Sequence, residues 1–75
     1  MGNLIESNPK IMFGKPVIKG TRITVELILG KIADGESVDA IISSYPNLTR
    51  EQILACVDFA KNSLSLVTVY PLATI

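Results

Sequence analysis

Ser37-Val38-Asp39-Ala40-Ile41-Ile42-Ser43-Ser44-Tyr45-Pro46-Asn47-Leu48-Thr49-Arg50-Glu51-Gln52-Ile53 holds two helix starts with one stop between them. After Ser37, apolar residues fall at Val38, Ile41, Ile42 and Tyr45, the i, i+3, i+4, i+7 spacing of a single helix face. Pro46 and Asn47 end that face, because proline has no N–H to donate and its ring clashes with the preceding turn. Thr49 and Gln52 then stand three apart. In a capping box the threonine hydroxyl accepts from the Gln52 amide, while the glutamine side chain reaches back to the amide of Thr49. Leu48 and Ile53 take the flanking positions of a hydrophobic staple, which sets the angle of entry. A short helix from Val38 to about Ser44, a turn and a longer helix from Arg50 to about Asn62 make a helix-turn-helix unit. In a small protein such a unit points to DNA binding, or to a dimer built on the same frame.

Upstream, Thr24 caps a further helix running to about Asp34, with Glu26 in the first turn where the helix dipole favours an acid. Val25, Ile28, Leu29 and Ile32 form its buried stripe, Leu27 widens it, and Gly35 supplies the left-handed stop. For the last helix the pattern predicts burial of Ile53, Val57, Ala60 and Leu64, flanked by Leu54 and Phe59. Its outer face then carries Arg50, Glu51, Ala55, Asp58, Lys61 and Asn62. Residues 4–23 read as extended chain with turns at Asn8-Pro9 and at Phe13-Gly14-Lys15-Pro16. Between and after those turns, Ile11-Met12-Phe13 and Val17-Ile18 are short apolar runs able to pair as a small sheet, alone or with a second chain. Gly20 predicts a positive φ or a close backbone approach. Leu64 to Tyr70 is rich in β-branched residues and reads as a strand before Pro71. The expected fold is one mainly α domain over 1–75. It comprises an extended β segment (4–23), a three-helix core (24–63) and a strand-like tail (64–75).

Seventy-five residues make a small, marginal core, yet 48% of them are apolar. The excess is expected at a subunit or partner interface, with Leu66, Val67, Val69 and Tyr70 of the tail as candidate dimer contacts. Net charge is zero but unevenly spread. Residues 1–25 hold Lys10, Lys15, Lys19 and Arg22 against Glu6, a net +3, so residues 26–75 carry −3. A nucleic-acid binder shows a basic footprint, and here the candidate reading helix lies in the acidic half, which weighs against strong DNA binding by this chain alone. One cysteine allows no internal disulfide and fits a reducing compartment. The start, Met1-Gly2-Asn3-Leu4-Ile5-Glu6, has neither a basic n-region nor an apolar h-region. Asn62 to Ile75 is too short to span a bilayer and contains Pro71. A cytoplasmic protein without a membrane segment is the expectation.

Catalytic chemistry finds few of its parts. Gly14-Lys15-Pro16-Val17-Ile18-Lys19-Gly20-Thr21 lacks the glycine and lysine spacing of a phosphate loop, and its proline removes one N–H that such a loop needs. With no histidine and one cysteine a zinc site fails on ligand count. Glu36 and Asp39 sit at a helix start, where acids are expected as solvated caps. Cys56 lies between Ala55 and Val57 and reads as a small buried hydrophobe rather than a nucleophile. No enzyme, metal or cofactor is expected.

Nucleic-acid chemistry has candidates, each with a plainer alternative. At the front of a recognition helix Arg50 can meet guanine and Gln52 adenine, or Gln52 can serve the cap and Arg50 lie in solvent. Lys15, Lys19 and Lys61 can contact phosphates, which supply most non-specific affinity. Arg22, just ahead of a helix, invites a phosphate contact too, but is expected in a salt bridge, with Glu26 or a partner-chain acid as acceptor.

Asn8-Pro9, the run Gly14-Lys15-Pro16-Val17-Ile18-Lys19-Gly20-Thr21-Arg22-Ile23, then Gly35-Glu36-Ser37, Tyr45-Pro46-Asn47-Leu48-Thr49 and Gln52-Ile53 together resemble a bacterial and archaeal family. It is known as domain of unknown function 433 and classed among antitoxin-like proteins. The likeness spans Asn8 to about Ala60, and its most specific part is the Gly-Lys-Pro-x-Ile-x-Gly-Thr-Arg run. Within that run Gly14, Pro16, Gly20, Thr21 and Arg22 take the place of structural motif residues. The resemblance implies a homeodomain-like helix-turn-helix with a small β element before it, usually as a homodimer. It also implies, for some members, an antitoxin that pairs with a PIN-domain ribonuclease toxin and binds its own operator DNA. The leading expectation is thus a dimeric, antitoxin-like transcriptional autoregulator. The alternative is an interaction module that keeps the frame without binding DNA.

Overall fold

A computed structural model describes residues 4–65 of the chain. The candidate contacts Leu66, Val67, Val69 and Tyr70, and the expected strand from Leu66 onward, lie outside the described residues. Three helices, α1 (Val25–Ala33), α2 (Val38–Ser44) and α3 (Arg50–Leu64), follow a two-stranded antiparallel sheet of β1 (Ile5–Glu6) and β2 (Val17–Ile18). The fold is mainly helical, with the helix-turn-helix arrangement in α2 and α3. No helix among the described residues is long and apolar enough to cross a membrane.

Each helix starts at the expected cap. The Leu27 amide donates to Thr24 Oγ1 at 3.0 Å and the Ala40 amide to Ser37 Oγ at 3.0 Å. Gly35, at φ +94°, ends α1. Its N–H donates to the Ile32 carbonyl and that of Glu36 to the Lys31 carbonyl, the two bonds of a Schellman motif. The turn between α2 and α3 closes where the Leu48 amide donates to the Tyr45 carbonyl at 2.9 Å, with Pro46 presetting φ at the first inner position.

The small sheet differs from the expected pairing of Ile11-Met12-Phe13 with Val17-Ile18. The observed partner of β2 is β1, with Ile5 opposite Ile18 and Glu6 opposite Val17. Met12, Phe13 and Gly14 have φ of 49°, 58° and 81°, a left-handed turn that no strand can continue. Ile11 instead folds back on Asn8, its amide 2.8 Å from the Asn8 carbonyl.

Ile18, Val25, Ile28, Ile41, Leu48, Ile53 and Cys56 form the buried centre, with Ile5, Leu29, Ile32, Tyr45 and Phe59 among the partly buried side chains around it. Leu48 and Ile53, the staple pair, both belong to it. The expected face of α3 needs correction. Its inward line is Ile53, Cys56 and Phe59, and Ala55 is buried as well, whereas Leu54, Val57 and Leu64 are 47%, 41% and 67% exposed. Both Cys56 and Val57 satisfy helical spacing from Ile53. The staple at Leu48 and the cluster from α1 and α2 turn the helix toward Cys56, leaving the bulkier valine outside. Leu27 of α1 is likewise exposed rather than part of the stripe. Leu64, expected to begin a strand, is the last residue of α3.

Candidate functional site

The front of α3 is occupied by its own cap. The Gln52 amide donates to Thr49 Oγ1 at 3.1 Å, and the Thr49 amide donates to Gln52 Oε1 at 2.8 Å. Reading adenine requires the glutamine oxygen and nitrogen together, and here the oxygen is committed to the box. Arg50 donates through Nη2 to the Asp39 carboxylate in the first turn of α2, tying the two helices at their solvent side. Both groups are exposed, so the pair adds little stability and can open for another acceptor.

The remaining candidate cations do not gather around that point. Lys61 lies 3.8 Å from Asp58 on α3, about 16 Å along the axis from Arg50 at 1.5 Å per residue. Lys15, before β2, pairs with Glu26 of α1 at 3.0 Å. That contact displaces the expected Arg22–Glu26 bridge. Lysine reaches Glu26 from the strand side, and Arg22 makes no ion pair among the described residues. Lys19 makes none there either, and both side chains stand exposed. Five candidate DNA contacts thus fall into separate places: Arg50 and Gln52 at one end of α3, Lys61 near the other, Lys15 beside α1, and Lys19 on the turn after β2.

The motif run builds the corner that feeds α1. The Val25 amide, an orphan donor of the first turn, donates to the Pro16 carbonyl at 2.9 Å. Gly20 takes φ +81° in the turn closed by the Thr21 amide on the Ile18 carbonyl, and no neighbour lies within 4 Å of where a Cβ would sit. Of the two expectations for this glycine, backbone conformation rather than close approach is the reason. Thr21 Oγ1 donates to the Ile18 carbonyl at 2.7 Å and accepts from the Ile23 amide at 3.0 Å. The amides of Lys19 and Gly20 donate to the Leu4 carbonyl and the Glu6 carboxylate, so this loop turns its donors to the protein and away from an anion. Gly14 keeps φ +81° in the left-handed turn. The Arg22 side chain makes no hydrogen bond or ion pair in the corner among the described residues.

An apolar excess was expected, but sequence pattern missed its place on α3. Leu54, Val57 and Leu64 share one outward line of α3, and Phe13 is 97% exposed on its turn. Beside that line a groove of about 420 Å³ runs between α1 and the end of α3, floored by Val25, Leu29, Phe59 and Ala60 and bounded by Pro16 and Leu64. A smaller cleft of about 390 Å³ lies between Thr21–Ile23 and Ser44–Leu48, with Arg22 at its edge. Cys56 is fully buried, and burial pushes its thiol up to about 11, away from the thiolate that nucleophilic chemistry needs. Among the described residues no group of three His, Cys, Asp or Glu is placed to hold a metal ion.

Residues 5–60 match a family described as "Protein of unknown function (DUF433)", well over half of the chain. A relative from Sinorhizobium fredii (strain NBRC 101917 / NGR234), described as "Uncharacterized protein y4eO", is 36% identical over 50 residues. Those residues are 67% of this chain and 23% of the relative, so the match covers less than a quarter of that protein. No solved structure matches.

Proposed function

The chain belongs to the DUF433 family, and from that footing we propose that it is a self-associating interaction module on a helix-turn-helix frame, without catalytic activity. The observation that carries this reading is the outward line Leu54, Val57 and Leu64 on α3, the helix whose front residues are already engaged. Those positions are spaced as the apolar seam of a paired helix. The occupant is a second copy. Lys61 falls within that line, between Val57 and Leu64, and Asp58 lies beside it, opposite charges able to pair between two copies related by a two-fold axis. Sedimentation equilibrium of the whole chain over a concentration series tests it. A dimer in the wild type and a monomer after Leu54→Glu with Val57→Glu are expected. A wild type that stays monomeric throughout would sink the reading.

A second reading, favoured by Lys19 and Arg22, is operator binding by an antitoxin-type autoregulator. Both are exposed on the basic N-terminal part and make no ion pair among the described residues. On this reading the protein works in the cytoplasm with a PIN-domain ribonuclease toxin as partner, and the complex supplies contacts that one copy lacks. Retardation of the chain's own upstream DNA, alone and with the neighbouring gene product, is the test. Arg22→Ala should weaken binding uniformly across sequences and lower the salt slope by about 1. Arg50→Ala should reduce affinity by roughly 1–3 kcal/mol if that side chain leaves Asp39 for a base edge. Absence of retardation at low salt would leave only the first reading.

A further inference from the structure

We propose that the cleft of about 390 Å³ between residues 21–23 and residues 44–48 binds a small carboxylic acid with an apolar body, its carboxylate on the Arg22 guanidinium. The inference is independent of self-association, since none of the residues involved belongs to the outward line of α3. Charge comes first. Lys15, Lys31, Arg50 and Lys61 each face a carboxylate of the chain, whereas Arg22 pairs with none among the described residues. Arg22 is also the one charged residue that lines the cleft among them, and no Asp or Glu stands there to neutralise it. A guanidinium keeps its charge at any pH the protein meets, and its planar fork matches the two oxygens of a carboxylate. One fixed positive charge selects a ligand with one negative charge. A phosphate dianion would have half of its charge unmatched.

The rest of the lining selects the body. Ile23, Tyr45, Pro46 and Leu48 give apolar walls, and Ser44 and Asn47 add a hydroxyl and an amide. Apolar walls with a few polar groups are the usual make-up of a small-molecule site, and about 390 Å³ lies toward the small end of such sites. Both walls are fixed before a ligand arrives. Thr21 Oγ1 donates to the Ile18 carbonyl and accepts from the Ile23 amide, so bonds on either side of Arg22 hold its backbone. Opposite, the Leu48 amide closes the turn on the Tyr45 carbonyl, and the Leu48 side chain is buried. Lys31 Nζ stands 5.5 Å from the centre of the Tyr45 ring and 3.5 Å from the Glu36 carboxylate, bracing the ring from α1. Little ordering is left for binding to bring about. A bound acid bridges the corner that feeds α1 to the turn of the helix-turn-helix, and so stabilises the folded chain.

Titration of the isotope-labelled full chain with isocaproate, followed by NMR amide shifts, tests the inference. Saturable shifts are expected in residues 21–23 and 44–48 and not along the outward line of α3, with a melting temperature that rises as the probe is added. Isocaproamide has the body without the charge, and acetate the charge without the body. Each should bind about tenfold more weakly or worse. Arg22→Gln should weaken isocaproate by a similar factor while amide shifts elsewhere match the wild type, because the Arg22 side chain is exposed and the buried centre does not use it. Equal binding of isocaproamide, or undiminished binding to Arg22→Gln, would overturn the assignment, since the guanidinium would have no part in it. Equal binding of acetate would overturn it as well, leaving a bare surface charge. Inorganic phosphate that binds more tightly than isocaproate would overturn it in favour of a backbone-phosphate contact, the use of Arg22 in the second reading above. So would the absence of any saturable shift up to the solubility of isocaproate.

Discussion

Phe13 holds a left-handed backbone, φ 58°, while its ring stands 97% in solvent. A residue with a Cβ costs roughly 1–2 kcal/mol in that region, and no burial of the ring offsets it among the described residues. Met12, next to it at φ 49°, carries a similar strain but is half buried. Replacing Phe13 by Gly should therefore raise stability by about 1 kcal/mol, since glycine adopts this conformation without the clash, less its greater freedom when unfolded. Urea unfolding would measure it. A loss of stability instead would mean that the ring is packed against something in solution, and the exposed phenyl would become part of an interface. Strain held at an exposed aromatic is compatible with a contact role. Arg50 and Gln52 teach the converse at the same scale. Both residue types suit base reading, and both are tied up locally, because the cap and the acid in the first turn of α2 lie nearer than any ligand.

The three helix starts and the end of α1 were legible because each has a short-range chemical cause. Thr24, Ser37 and Thr49 accept from amides three residues on, and Gly35 turns left-handed to close α1, so local sequence was enough. The rotation of α3 was not legible. Cys56 and Val57 are equally compatible with helical spacing from Ile53, and only packing against α1 and α2 decides between them. The β partner was missed for a related reason. Hydrophobicity marked Ile11-Met12-Phe13 as a strand, but the left-handed turn there passes the pairing to Ile5–Glu6. Of the candidate site, the motif corner was readable as a unit, while the split of its cations between Glu26 and solvent depends on how the strand side packs beside α1. The cap of α3 gives the sharpest test at this scale. Thr49→Ala removes the hydroxyl that accepts from Gln52 and leaves half the box without its partner. A loss on the order of 1 kcal/mol is expected, read as a lower midpoint of thermal unfolding. Unchanged melting would show that α3 is held by the Leu48–Ile53 staple and its packing alone, with the box contributing nothing.

At the scale of the whole molecule the question is where the apolar surplus goes. The buried centre uses seven side chains, while Leu27, Leu54, Val57, Leu64 and Phe13 face outward, in a chain that is 48% apolar. If pairing buries about 500 Å² of apolar surface per subunit, about 1,000 Å² in the pair, it contributes roughly 25 kcal/mol at about 25 cal/mol per Å². Lost translational and rotational freedom, on the order of 4–15 kcal/mol, offsets part of that. The remainder is comparable with the stability of a small domain, commonly about 5–15 kcal/mol, so folding and association should be linked. A partner that binds only the folded state raises apparent stability with its own concentration. The melting temperature of the wild type should therefore rise as protein concentration increases. Leu54→Glu with Val57→Glu should abolish that dependence while leaving the buried centre intact, because neither side chain belongs to it. The pair of measurements separates two causes of a low melting point. A variant that melts lower but keeps the concentration dependence would have damaged the fold without touching the interface, and the outward line of α3 would not be the surface that joins two copies.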